Sequence, residues 1–322
     1  MTDTFVKELL QGMLLLFLHP LFYGFILVAF LIGLKRVKRE RKEFKVRVHP
    51  VIDNLIFSLL PGILIGLIGS IIFVAAGITL PLGMIALIGV VYLALGLTFK
   101  TRFMNPAYAI SLSAVVGLLL PKFQLGISFV DQWIVDVQKT PLDSLAVIIG
   151  VLLIQEGILV IWKGADRTSP RLFKGKRGHY IGAHEATRFW IVPQFLVLPV
   201  GSIPVLDWWP LFPMGAVGFS FFLVPFAIGY RQLVTHTLPE EAIKHLGRQV
   251  LILGFIVTGI AAVGHFYNLP LLIAIAIAAA LAGRELITLV TSQRDDTRPS
   301  HFVPRDQGVM ILSVVPGTPA AK

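Results

Sequence analysis

Apolar and polar positions along this chain do not alternate over a few residues. They fall into long apolar blocks separated by short polar ones, the pattern of a polytopic membrane protein. The first block, Met13 to Leu34, is long enough at ~1.5 Å per residue to cross a ~30 Å hydrocarbon layer. His19-Pro20 interrupts it and predicts a kink. A second span is expected over Leu55 to Gly77, with Pro61 near its start and Gly62-x-x-x-Gly66 inside, a spacing that allows close helix approach. The third covers Leu82 to Thr98. Asn105-Pro106 supplies a cap and a first helical position for the fourth, which ends before Pro121. Phe123 to Lys139 reads instead as an interfacial amphipathic helix, with Phe129, Val130, Trp133, Ile134 and Val137 on one face.

The fifth span runs from Ser144 to Ile161, with Asp143 as a candidate cap. Trp190 to Leu206 is apolar but cut by Pro193, Pro199 and Pro204, which reads as a broken or re-entrant helix. Asp207-Trp208-Trp209-Pro210 has the composition of an interfacial aromatic belt. A seventh span is expected over Leu211 to Tyr230. Thr237 to Glu240 fits a capping box ahead of the eighth, Val250 to Phe266. The ninth, Leu271 to Val290, carries a small-residue seam at Ala274, Ala278 and Ala282. The expected fold is therefore all-α and polytopic, with about nine transmembrane helices. It divides into a membrane domain at 1–290, a cytoplasmic linker at 291–307 and the incomplete start of a β-rich module at 308–322. A flexible linker of that length would hold the module within ~20–25 Å of the membrane.

Composition agrees: 56% of the 322 residues are hydrophobic and 14% charged, and mean hydropathy is +0.81. Soluble domains carry ~25% charged residues. The first apolar block is too long for the core of a cleaved signal peptide. The net charge of +10 changes the picture only through its placement. With Lys35 to Arg47 put in the cytoplasm and nine crossings assumed, cytoplasmic loops hold 23 of the 28 Lys and Arg. This asymmetry predicts an outside N-terminus and a cytoplasmic C-terminus. It also accounts for the basic loops without nucleic acid. Lys35, Arg36, Lys38, Arg39, Arg41 and Lys42 form a juxtamembrane candidate site for anionic lipid or a partner.

Candidate chemistry is sparse. No cysteine is present, so thiol catalysis and cysteine metal sites are excluded. The nearest approach to a zinc-hydrolase helix is His184-Glu185-Ala-Thr-Arg188, where an arginine stands in place of the second histidine. There is no glycine-rich phosphate loop and no nucleophile elbow. Neither a metal, a cofactor nor a catalytic residue is assigned. Polar residues inside spans remain: Gln155, Glu156, Arg284, Glu285, His19 and His265. A Glu156–Arg284 ion pair reads either as polar glue between helices or as part of an ion or substrate pathway.

Two stretches carry a resemblance. The tail GVMILSVVPGTPAAK, Gly308 to Lys322, reads as a strand, a Pro-Gly turn and a Thr-Pro helix start. It resembles the opening of a bacterial, circularly permuted PDZ domain, a fold that takes a peptide as an added strand. FLHPLFYGF, Phe17 to Phe25, followed by RVKRERKEF, is similar to the MinJ family of polytopic membrane proteins with a C-terminal PDZ domain. That resemblance implies a non-enzymatic scaffold in division-site selection, placed at septum and poles. Its implied partners are a DivIVA-like curvature-seeking protein, a MinD-like protein with its MinC inhibitor, and other divisome membrane proteins. The competing expectations are a transporter or channel using Glu156 and Arg284, and a membrane protease using a PDZ module to select substrates.

Overall fold

The computed structural model describes residues 2–121, 124–174, 178, 180–216, 218–303, 311–314 and 318–319. Its elements in chain order are α1 (Thr2–Leu15), α2 (Pro20–Phe44), α3 (Asp53–Ala76), α4 (Leu82–Leu97), α5 (Pro106–Leu119), α6 (Ser128–Lys139), α7 (Leu142–Lys163), β1 (Ser169–Lys174), β2 (Tyr180–Pro204), β3 (Gly218–Val234), α8 (Pro239–Phe266) and α9 (Pro270–Thr297). Among the described residues the fold is mostly helical, with one three-stranded sheet in the order β1-β2-β3. Five helices among the described residues are long and apolar enough to cross a membrane: Pro20–Phe44, Leu55–Ala76, Leu142–Lys163, Pro239–Phe266 and Pro270–Thr297. Leu82–Leu97 and Pro106–Leu119 are shorter apolar helices.

Local chemistry sets the helix boundaries. His19-Pro20 does not kink a helix; it starts one. The His19 ring Nδ1 accepts from Leu21 N at 3.3 Å, and Pro20, which has no N–H to lose, takes the first helical position. Asn105 caps α5 in the same way, accepting from Ala107 N at 2.9 Å. Thr237 is not the cap of α8; that helix begins at Pro239, and Thr237 bonds the Glu241 carboxylate. Amphipathic α6 buries Ile134 and Val137 and leaves Phe129 and Trp133 exposed. The seam at Ala274, Ala278 and Ala282 faces outward.

The all-α expectation is corrected at its sixth and seventh spans. Trp190 to Leu206 lies mostly in β2, and Leu211 to Tyr230 mostly in β3; the two form an antiparallel hairpin. Helices cover it, so long stretches of both strands are buried on both faces. A strand buried on both faces reads as a continuous apolar run and cannot be told from a buried helix by periodicity. The prolines decide between them. Each would remove an intrahelical hydrogen bond, but an outward-facing strand position loses no ladder bond. Pro193 and Pro225 stand directly opposite each other. Neither can donate, so this is a pair whose backbone groups point away from the partner strand.

Outward-pointing groups recur at every second residue and need partners, because the surroundings are apolar. On the β2 edge, Phe195 N donates to Ser70 Oγ at 2.8 Å and Val197 N to Ile78 O at 3.2 Å. Val197 O accepts from Leu80 N at 2.9 Å. On the β3 edge, Tyr92 Oη donates to Ala227 O at 3.0 Å, and Gly229 N donates to Met104 O at 2.6 Å. The glycines of α3 serve this edge rather than another helix. A Cβ at Gly62 would lie 2.3 Å from Ile191 O, and one at Gly66 would lie 2.4 Å from Pro193 O.

Two ends are thereby defined. At one, Arg39 meets Glu185, Arg167 meets Asp53, and Asp295 meets Thr235. At the other, Phe5 packs on Phe221, Trp209 on Phe219, and Phe212 on His265. Helices α2, α3, α4, α5, α7, α8 and α9 and strands β2 and β3 run between these ends, one for each expected span. Helices α1 and α6 sit at the aromatic end.

Gly66→Val should cost more than about 2 kcal/mol, since its Cβ meets backbone rather than a yielding side chain. Gly259→Ala, with nothing within 4 Å, should be neutral or slightly stabilising. Apparent melting temperatures in detergent would compare the two.

Candidate functional site

At the basic end α2 continues past its apolar portion, carrying the Lys/Arg run as helix through Phe44. Helical spacing puts Arg36, Glu40 and Glu43 on the side facing the sheet. Glu40 accepts from Ser169 Oγ at 2.6 Å, Arg36 Nε at 3.1 Å, Val48 N at 2.8 Å and His49 N at 3.2 Å. Glu43 accepts from Leu172 N at 3.0 Å and from Arg171 Nε at 3.0 and 3.1 Å. These two carboxylates occupy the outer edge of β1, leaving that short edge strand covered.

Glu185, 2% exposed, is the centre of the cluster. Arg39 Nη1 reaches it at 2.7 Å and Arg231 Nε at 3.0 Å; Arg171 Nη1 and Thr187 Oγ1 complete the shell. Burial alone would raise its pKa, but Arg39, Arg231 and Arg171 overcome this and hold it at about 2. Neighbouring His184 bonds Thr168 Oγ1 at 3.0 Å, and buried Arg188 donates to Asp166 O. The His-Glu-x-x-Arg stretch is thus part of a structural ion network on a strand. Of the six basic candidates, Arg36 and Arg39 are turned inward and engaged, whereas Lys35, Lys38, Arg41 and Lys42 are exposed.

The chain after α9 is bound at this same end. Helix α9 runs through Thr297, well into the stretch expected as linker. Its Asp295 accepts from Thr235 N at 2.9 Å, Thr235 Oγ1 at 2.8 Å and His236 N at 3.2 Å, and pairs with His236 Nδ1 at 2.5 Å. His301 N then donates to Thr235 O at 2.8 Å, and Gly182 N to Phe302 O at 2.9 Å. The Phe302 ring is buried against His184. The expected free tether is therefore pinned to the sheet as far as Phe302. Most of the PDZ-like tail lies outside the described residues; Ile311 to Val314 are described and belong to no strand.

Deeper in the bundle, Glu156 on α7 and Arg284 on α9 are brought together. Arg284 Nε and Nη2 lie 3.0 and 2.9 Å from Glu156 Oε1, and Arg284 Nη1 donates to Thr288 Oγ1 at 2.7 Å. Both side chains are essentially fully buried. Glu285, next along α9, accepts from Tyr108 Oη and from Arg102 Nη2. Gln155 Oε1 accepts from Gln194 Nε2 at 2.6 Å, joining α7 to β2. At the aromatic end His265 Nδ1 lies 2.6 Å from Asp143 Oδ2. Sequence reasoning missed Glu185 as an organising residue. The available signal was a lone glutamate between arginines in a strongly basic segment.

Comparison with known proteins gives the family. Over 97% of its length the chain is 36% identical to the cell division topological determinant MinJ of Bacillus subtilis, covering 78% of that protein. The chain belongs to the MinJ family. A probable cell division topological determinant MinJ from Lacticaseibacillus paracasei is 24% identical over 90% of the chain and 74% of its own length. No family model matches the chain, and no solved structure matches it.

Because the Glu185 pKa is lowered in the fold, its contribution is fully present above the unfolded carboxylate range, near 4.5, and is lost as pH falls through about 2. The shift corresponds to ~3 kcal/mol. Glu185→Gln should destabilise the protein at pH 7 and flatten its stability between pH 5 and pH 3. Thermal unfolding in detergent across that range would register both effects.

Proposed function

We propose that the chain is a membrane scaffold in division-site selection, linking a DivIVA-like polar protein to a MinD-like protein and its MinC inhibitor. The observation that carries this is the 36% identity over 97% of the chain to the Bacillus subtilis cell division topological determinant. The basic end supports it physically. Ion pairs among Glu40, Glu43, Glu185 and the arginines around them fix α2 against the sheet. Lys35, Lys38, Arg41 and Lys42 are left on the outer face of a helix so held. Each basic residue near an anionic membrane surface contributes ~1 kcal/mol, and the same face suits an acidic partner.

In this reading the nine traversing elements cross the bilayer, with the N-terminus outside and the basic end in the cytoplasm. Residues 1–290 form the membrane domain, 291–307 the connection, and 308–322 the start of a PDZ-like module that takes partner peptides as added strands. Phe302 holds the connection against the sheet, so the module is presented beside the basic face rather than on a loose tether. Localisation follows at septum and poles, with other divisome membrane proteins as further contacts. The reading assigns no catalytic residue, cofactor or nucleic-acid site.

The Glu156–Arg284 pair favours a second reading, an ion or substrate pathway, because buried charges within a membrane domain are costly to maintain. We assign it instead as a tie between α7 and α9. Arg284 spends its donors on Glu156 and Thr288, and one tie of this kind needs no pathway.

Deleting the gene should give minicells or filaments and displace the MinD-like protein from septum and poles. An allele carrying Glu156→Leu with Arg284→Leu should restore placement. An allele with Lys35, Lys38, Arg41 and Lys42 changed to Gln should restore it poorly at equal protein level. Fluorescence microscopy of the tagged MinD-like protein reads all three; unchanged placement on deletion contradicts the scaffold, and failure of the Leu pair at normal abundance favours the pathway.

A further inference from the structure

We propose that a cavity at the aromatic end binds one acyl chain of a zwitterionic membrane phospholipid. The cavity measures about 510 Å³ and lies between α1, the last turn of α3 and the segment that joins β2 to β3. Phe5, Val6, Val74, Ala75, Ile203 and Trp209 supply much of its wall. The Trp209 indole N–H is already spent on Val74 O at 2.8 Å, which leaves the Thr4 hydroxyl and the exposed Trp208 indole as the polar side-chain groups of the lining. A wall so poor in donors and acceptors gives water, a peptide or a sugar little to bind, whereas a hydrocarbon chain needs none.

Position identifies the source of that chain. Helix α3 ends at the cavity, and Trp208, 69% exposed, stands at its rim, the level at which tryptophan concentrates in membrane proteins. The apolar guest available at that depth is the acyl chain of a membrane lipid. Charge at the rim selects among headgroups. Next to the lining residues in the chain stand three acids, Asp3, Glu8 and Asp207, and one lysine, Lys7; Glu8 accepts from Ser202 Oγ. Three carboxylates to one lysine disfavour an anionic headgroup and suit one that carries an ammonium beside its phosphate. This is the opposite preference from the exposed lysines and arginines of α2. The inference rests on the chain being a membrane protein and not on its division role.

The test uses the full chain in detergent, titrated with phosphatidylethanolamine carrying brominated acyl chains, which quench nearby tryptophan. Quenching should saturate near one lipid per protein, above a linear background from Trp133 and Trp162, which are exposed elsewhere. Ala75→Phe, which fills the cavity, should weaken the saturable phase at least tenfold with an unchanged melting temperature; Val6→Phe serves if that variant misfolds. Brominated phosphatidylglycerol should bind at least fivefold more weakly. Native mass spectrometry should find one retained phospholipid in the parent chain and none in the filled variant. A purely linear titration, or the same saturable phase in the filled variants, overturns the site. Equal or tighter phosphatidylglycerol binding overturns the headgroup assignment.

Discussion

A β-hairpin inside an apolar bundle must find partners for the backbone groups on both of its outer edges, and this fold is arranged around that requirement. Water cannot supply them there, and an unmet buried N–H or C=O costs about as much as a lost hydrogen bond. Proline removes the donor at Pro193 and Pro225. Ser70, Tyr92 and the backbones of Ile78, Leu80 and Met104 meet the exposed groups at Phe195, Val197, Ala227 and Gly229. Helix α3 lies directly on the β2 edge because Gly62 and Gly66 have no side chain to hold it away. The paths of α3, α4 and α5 follow from these contacts, and the remaining helices close around them.

The hairpin also ties the two ends of the molecule together. Strand β2 begins in the arginine network at Glu185 and finishes at the aromatic end beside Trp209. The β2–β3 ladder is unbroken from His184 to Leu198 and resumes at Ile203 after a bulge, so paired strands join the basic platform to the aromatic tip. The platform is itself an arrangement of opposed charge. Its network acids Glu40 and Glu185 are internal, while Lys35, Lys38, Arg41 and Lys42 lie outward, which gives α2 a positive outer face. The chain after α9 is held at this same end as far as Phe302, through His301 N on Thr235 O and Gly182 N on Phe302 O.

Much of this was legible in the residues. Seven of the nine apolar blocks fall on helices, five of them long and apolar enough among the described residues to cross a membrane, and Asn105-Pro106 starts a helix as its chemistry requires. The lysine and arginine asymmetry picked out one end correctly as a cluster. What misled was the hairpin. Its apolar runs are continuous because helices cover both faces, so no period-two alternation survives to mark a strand. The informative signals were the aromatic and β-branched content of Phe189 to Val197 and Phe219 to Phe226, together with three prolines that no single helix accommodates. The Gly62–Gly66 spacing was rightly read as a place of close approach, but the partner was a strand edge. Which basic residues face inward was also hidden. Residue type does not decide it, since Arg41 is exposed while Arg36 and Arg39 are not; helical phase does, relative to a sheet that lies more than a hundred residues away in the chain.

The hairpin register is the claim on which the rest stands, and the absence of cysteine makes it accessible without background. Phe195 and Leu223 are direct partners across the ladder, while Phe195 and Phe219 are four residues out of register. Opposed positions of this kind bring Cα atoms within the ~4.4–6.8 Å that a disulfide spans. In native membranes under mild oxidation, a cysteine pair at Phe195 and Leu223 should cross-link nearly completely, and a pair at Phe195 and Phe219 should remain free. Cross-linking of the out-of-register pair alone, or of neither pair, would contradict a paired hairpin and return this segment to helices.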